Sequence, residues 1–252
     1  MISNELNQSE ALWDIAQNTT LNGLNLQKGL IFYLAGANSY DQTVIKNSLL
    51  NAKIALIIDL DQQQNTMICD LAKHLDIAYA HIPINISLKK QDLQNDLILD
   101  IDTIKLHQQH KYQDLLFASS YQTHWRRLLQ LLAKEQLPLL LFSNADIAKV
   151  AIAIFLLQTC LNLPQMLIID TFMQFNQATH HPINSLMKKA FQQHETLNDI
   201  QKLPYLFGTD LSYIDAIFAH ISKRYHDPQN FVQNGLKIDI TTIEQLKDIY
   251  LP

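Results

Sequence analysis

The chain has 252 residues, of which 48% are apolar and 17% charged, the composition of a folded chain with a sizeable core and not of a disordered one. Its 19 Lys+Arg against 24 Asp+Glu leave a formal charge of −5, and with no basic block this argues against nucleic acid or an anionic membrane as the partner. Two cysteines, Cys69 and Cys160, are too few for a disulfide framework, so a reducing cytoplasm is the expected compartment.

The N-terminal stretch carries no basic segment followed by an apolar one, so no secretion signal is expected. It reads as a short helix near Glu10–Gln17 and a loop. The apolar run Gly29–Ala35 reads as a buried strand. Ser39-Tyr40-Asp41 has helix-capping chemistry, and a helix is expected through Leu50. Ile54–Leu60 is a second buried strand and ends in Asp59-Leu60-Asp61. Gln64–Leu75 has helical spacing, and Ile77–Ile84 is a third strand stopped by Pro83 and Asn85. The alternation of strand and helix predicts a largely parallel sheet covered by helices.

Between Ser87 and Tyr112, Leu93, Leu97, Ile101 and Ile104 keep a helical spacing. Tyr121–Glu135 is a clearer helix, with Trp125, Leu128, Leu129 and Leu132 on one face. Leu137–Phe142 is a short apolar strand. After the turn Ser143-Asn144-Ala145-Asp146, a helix from Ala145 to about Leu161 is apolar all round and therefore central. Its apolar core, Val150–Leu157, is far short of the roughly 20 residues that span a bilayer. Pro164 opens a helix through Asn176, and His180-His181 precede a proline in a loop. Helices are expected beyond, over Ile183–His194, along the Leu211–Tyr225 face, from Asp227-Pro228 to Gly235, and from Ile240, with Thr241 and Glu244 spaced as a capping box.

The stretch Leu137–Ala151 is where chemistry is expected. A buried strand, a tight loop and a helix N-terminus together form an anion site, because first-turn N–H groups lack intrahelical partners and the helix dipole adds positive potential. The candidate anion-binding residues are Ser143, Asn144, Ala145, Asp146, Ile147, Ala148 and Lys149.

This stretch resembles the phosphate loop of tyrosine phosphatases of the bacterial, dual-specificity-like type, with its pattern H-C-x-A-G-K-D-R-T-G. Ala145 and the hydrophobic frame match. Phe142 replaces the histidine, Ser143 the nucleophilic cysteine, Asp146 the loop glycine, Ile147 and Ala148 the lysine and aspartate, and Lys149 the arginine. Val150 and Ala151 stand for the last two residues. The resemblance continues elsewhere. Tyr33 and Leu34 fall where the early strand ends in an arginine-serine pair, and Asp59-Leu60 match an Asp-Leu-Arg whose arginine is replaced by Asp61. Lys111-Tyr112, Trp125 to Leu129, Asp170, Asn176, Tyr213 to Phe218, Arg224-Tyr225, Asn234 to Leu236 and Ile243 to Leu251 follow in order.

It implies an α/β fold with a parallel-rich central sheet flanked by helices, phosphotyrosine-phosphatase-like. One domain is expected over residues 1–252, with the α/β core over about 29–178 and a helical C-terminal region over about 180–252. It also implies a protein or a phosphorylated ligand as the partner, and no cofactor.

The chemistry implied by the family is undercut at the loop positions Ser143, Ala148 and Lys149. A thiolate is the family's nucleophile, and a serine hydroxyl stays protonated without a base. Lysine keeps one charge but lacks the planar fork that matches a phosphoryl group. A non-catalytic, regulatory or binding role is therefore expected. An enzyme of altered chemistry using Ser143 and Lys149, or one of Asp92, Asp96, Asp100 and Asp102, remains the alternative, as does a phosphate- or phosphoprotein-binding module.

Asp146 either caps the helix or pairs with Lys149 three residues on and fills the anion position. His107 and His110 lack a third ligand for a metal, so none is expected. Cys69 and Cys160 read as core residues. Asp59 and Asp61, on opposite faces of a strand end, do not read as a carboxylate pair. Five glycines, with none between Gly36 and Gly208, exclude a Walker-type or dinucleotide loop.

Overall fold

The computed structural model describes residues 11–16, 26–85, 99–134, 137–144, 146–192 and 197–252. Five strands form one sheet: β1 (Leu12–Asp14), β2 (Ile31–Ala35), β3 (Leu56–Asp59), β4 (Ala78–His81) and β5 (Leu139–Ser143). Their order is β1-β2-β5-β3-β4. Only the β1–β2 pairing is antiparallel, and the rest of the sheet is parallel. The last strand in sequence is therefore the central one, between β2 and β3, with Phe142 opposite both Leu34 and Asp59.

Alternation along β5 divides the core in two. Leu140 and Phe142 face a cluster containing Ile45 and Leu49 of α1 (Gln42–Asn51) and Ile68 and Leu71 of α2 (Thr66–His74). Leu139 and Leu141 face the larger cluster, built from α3 (Ile101–Phe117), α4 (Ser119–Leu132), α5 (Ile147–Cys160) and the helices that follow. These are α6 (Gln165–Gln192), α7 (Leu197–Phe207), α8 (Leu211–Tyr225), the single turn α9 (Pro228–Asn230) and α10 (Ile240–Tyr250), of which α6, α8 and α10 supply residues to that cluster. A helix apolar on every side has no face to offer water, and all fourteen residues of α5 are buried. The sheet is thus the parallel-rich, helix-flanked arrangement expected from the strand-helix alternation.

The expected helix near Glu10–Gln17 is replaced by β1 where the structure is described. Leu12 pairs with Leu34 and Asp14 with Phe32. Asp14 then ends the strand by accepting from the backbone N–H groups of Ala16 and Gly29, both at 2.9 Å. Ladder bonds and that turn outweigh the weak helical preference of Ala11, Leu12, Ile15 and Ala16. The two helices expected over 164–176 and 183–194 are a single one, α6, so His180 and His181 lie in a helix and not in a loop.

α10 is capped by Asp239, which accepts from Thr242 N–H at 2.8 Å, in place of the Thr241–Glu244 box. The helix after β5 begins at Ile147, because Asp146 is its extended N-cap. Of the apolar positions expected to make a helix before Tyr112, Ile101 and Ile104 lie in α3, while Leu93 and Leu97, like Asp92 and Asp96, lie outside the described residues. No helix among the described residues is long and apolar enough to cross a membrane.

Candidate functional site

In a parallel sheet, the C-terminal ends of the strands open onto a shared crevice, and the crevice is deepest where neighbouring strands run to opposite sides. Here β5 leads into α5 in the larger cluster while its neighbours β2 and β3 lead into α1 and α2 in the smaller one, and the β3 side of β5 carries the polar residues. Asp59 is level with Phe142, and Leu60 N–H donates to the Phe142 carbonyl at 2.9 Å. The residues at and just past the two strand ends, Asp61 on one side and Ser143-Asn144 on the other, are thereby brought together, with Asp61 lying 82 positions of sequence before Ser143.

Asp61 points into the loop after β5. Its carboxylate accepts from the Ser143 hydroxyl at 2.8 Å and from Asn144 N–H at 2.9 Å, and Lys149 Nζ lies 3.4 Å from it. Its own backbone is fixed in turn. Asp61 N–H donates to the Asp59 carboxylate at 2.8 Å, and the His81 ring lies 2.8 Å from the Asp61 carbonyl. Asp59 is fully buried and also accepts from Asn65 N–H and from the Tyr79 hydroxyl. That hydrogen bond and burial push the Tyr79 phenol far above its ordinary range, with burial the larger cause. Asp59 and Asp61 are thus not a carboxylate pair. The first holds the turn that presents the second.

Asp146 sits at the N-terminus of α5 and accepts from Ala148 N–H at 2.9 Å. It caps the helix, as the plainer of the two expectations has it. Its ionic partner is Lys111 of α3, whose Nζ lies 2.8 Å from one carboxylate oxygen and 3.0 Å from the other. The expected Asp146–Lys149 pairing is therefore corrected: Lys149 is paired with Asp61, and Asp146 with Lys111. A cap residue's side chain folds over the first N–H groups of its helix, so i,i+3 geometry between two helical side chains does not apply to it.

Ser143, Asp61, Asp146 and Lys149 are exposed by only 1%, 8%, 7% and 4%. With Lys111, whose side chain is 13% exposed, the carboxylates of Asp61 and Asp146 and the Lys149 ammonium make a formally neutral, largely buried quartet of ionic groups, and ionic groups persist in such surroundings only when paired and hydrogen-bonded. The backbone donors are used internally too. Besides Asn144 and Ala148, Asp146 N–H points at the Ser143 hydroxyl oxygen at 3.4 Å, and Lys149 N–H at the Asp146 carbonyl at the same distance. Ala145 lies outside the described residues. Ile147 is buried at the start of α5 and contributes packing.

Two phenols border the quartet, and burial pushes both upward, with the Asp146 charge as the second cause. Tyr33 comes from β2, and Tyr112 comes from α3 beside Lys111. The Tyr112 hydroxyl is buried without a hydrogen-bond partner.

Of the residues singled out in the sequence, Ser143, Asn144, Asp146, Ala148 and Lys149 meet at this site. Asp100 and Asp102 belong to the start of α3, where Asp100 caps the helix by accepting from Thr103 N–H at 2.8 Å. His107 and His110 are exposed along α3, and among the described residues no three or more His, Cys, Asp or Glu are grouped as a metal would need. Cys69 and Cys160 are buried, and burial pushes the Cys160 thiol up to about 12. Asp61 was missed as a site residue. The available signal was its position after a buried strand, with a sign opposite to Lys149.

Asn176, one of the residues that carry the resemblance, secures the turn between α7 and α8. It accepts from Thr209 N–H at 2.7 Å and donates to the Thr209 carbonyl at 2.8 Å. A Cβ at Gly208 would lie 2.5 Å from both the Asn176 side-chain oxygen and the Pro204 carbonyl, so glycine is required by the close approach.

The largely parallel sheet flanked by helices, with its central strand turning directly into a buried helix, defines an α/β protein. The family model described as the tyrosine phosphatase family matches residues 6–252, and the chain belongs to that family. No curated protein sequence matches it.

Proposed function

We infer that the chain is a tyrosine-phosphatase-family protein without phosphoryl-transfer activity, acting in regulation or binding through a protein partner. The observation that supports this best is the state of Ser143. It stands at the position of the family's cysteine, is almost fully buried, and donates its hydroxyl to an internal carboxylate. A nucleophile must be ionised or ionisable and must face the phosphorus. The hydroxyl of Ser143 is bonded to a carboxylate and not to a histidine. The Lys149 ammonium that replaces the arginine is held by Asp61. Losing one preorganised donor typically costs about 10²–10³ in rate, and here nucleophile, arginine and open donors are replaced together. Cys69 and Cys160, both unpaired, fit a reducing compartment such as the cytoplasm.

One observation favours a second reading: the 2.8 Å contact from Ser143 to Asp61 is also the geometry of a hydroxyl beside a general base. A carboxylate is a weak base toward an alcohol, and the same contact shuts the hydroxyl away from substrate. An aryl phosphate assay from about pH 5 to about pH 8 separates the readings. The expected outcome is no hydrolysis above background. Turnover that vanishes in both Ser143→Ala and Asp61→Asn would establish the serine hydrolase instead.

A further inference from the structure

Two charged groups reach the loop from other elements among the described residues. Lys111 pairs with Asp146, while Asp61 is the carboxylate, and it takes three of the loop's donors at once: the Ser143 hydroxyl, Asn144 N–H and the Lys149 ammonium. A carboxylate with two oxygens, each engaged by converging donors beside a helix N-terminus, presents what two oxygens of a bound oxyanion would present. We propose that Asp61 is the resident anion of this loop, an intramolecular ligand that closes an oxyanion site still provided with three converging donors.

Three observations point the same way. The turn carrying Asp61 is fixed at the backbone from two sides, by Asp59 and by His81, so the carboxylate is delivered to the loop and has not merely drifted there. Asp146, the other carboxylate near the loop, accepts from Ala148 N–H and Lys111 through one oxygen, keeps its other oxygen within 2.8 Å of the Lys111 ammonium but without a hydrogen bond, and leaves the three donors to Asp61. The Tyr112 hydroxyl, 1% exposed as a residue and kept protonated by burial and by the Asp146 charge, is a donor without an acceptor at the border of the same cluster. A site of this charge has one cation, Lys149, for one anion, and Asp61 supplies that anion. An external phosphate would have to displace a tethered group at very high local concentration.

The inference rests on the non-catalytic reading of the same loop, yet its test reads binding alone. Turnover in the wild type would defeat the earlier reading without touching the result below.

The experiment is a thermal-shift titration with inorganic phosphate against potassium chloride of equal ionic strength, on wild type, Asp61→Ala, and Asp61→Ala with Lys149→Met. The wild type should show no phosphate-specific shift. Asp61→Ala should show a saturable rise, about 5–10 °C at a hundredfold excess over the dissociation constant. The double variant should lose that rise. A wild type that responds as strongly as Asp61→Ala overturns the proposal, as does a folded Asp61→Ala that ignores phosphate. Should Asp61→Ala fail to fold in chloride, recovery of native circular dichroism in phosphate supports the proposal. Failure in both salts, with Asp61→Asn folded and indifferent to phosphate, overturns it.

Discussion

The Lys149–Asp61 contact can be weighed by a double-mutant cycle. The side chains are exposed by 5% and 12%, and Nζ lies 3.4 Å from the nearer oxygen. Lys149→Met keeps most of the volume and removes the charge, leaving a buried carboxylate held only by the Ser143 hydroxyl and Asn144 N–H. Breaking a buried ion pair from one side costs about 3–5 kcal/mol. The two surviving hydrogen bonds and the long contact put this case near about 3 kcal/mol, which lowers Tm by about 6–12 °C in a chain of this length. Asp61→Asn strands the ammonium instead and should also cost about 3 kcal/mol, the low end of the same range. The two together should cost clearly less than their sum, with a coupling of about 2 kcal/mol. Urea unfolding followed by circular dichroism gives all four corners. Additivity to within about 0.5 kcal/mol would refute the pairing and, with it, the account of the quartet.

Phe142 is fully buried at the centre of the sheet, so Phe142→His should destabilise by about 1–3 kcal/mol, and an unchanged Tm would contradict that placement. Burial pushes the Asp210 carboxyl up, but hydrogen bonds from the Ser212 side chain and backbone and the Lys105 ammonium together hold it below the usual carboxylate range. Its folded form therefore binds fewer protons than its unfolded form. The stability it adds is complete above the ordinary value of about 3.9 and is lost as pH falls below it. Asp210→Asn should flatten acid unfolding in that window by less than about 1 kcal/mol, the partial exposure limiting the effect, and an unaltered acid limb would show that the cap does not titrate with folding.

The sequence made the frame of the site legible and left its wiring hidden, for identifiable reasons. Leu137–Phe142 and the all-apolar segment after it announce a central strand and a central helix by composition alone, and both are where they were expected. Asp41 was readable as a cap because capping is local. The partner of Lys149 was not readable. It depends on β5 being inserted between β2 and β3, which sets Asp61 beside Ser143 across 82 residues. No window-scale pattern carries that. The i,i+3 rule offered Asp146 instead and failed because Asp146 has extended backbone, φ −152° and ψ 109°, outside the helix it caps. β1 was misread for a related reason: its three residues have no strand signature beyond their pairing with β2.

Charge at position 61 gives the last test of this wiring. The family pattern that the chain resembles has an arginine there, after the Asp-Leu that Asp59-Leu60 reproduce. Exchanging Asp61 for arginine changes the local charge by two and places a second cation beside Lys149. If Asp61 serves as the loop's anion, Asp61→Arg removes the acceptor for Ser143, Asn144 and Lys149 and adds like-charge repulsion in a nearly dry site, where such repulsion is weakly screened. The variant should melt below Asp61→Asn in chloride. In phosphate it should recover more than Asp61→Asn does, since two cations and two neutral donors then face one dianion. Equal melting of Asp61→Arg and wild type in chloride would mean that position 61 swings freely into water, and the carboxylate would then be an incidental neighbour of the loop. A variant that is unstable in chloride and restored by phosphate would mean that this chain replaced an external anion with one of its own side chains.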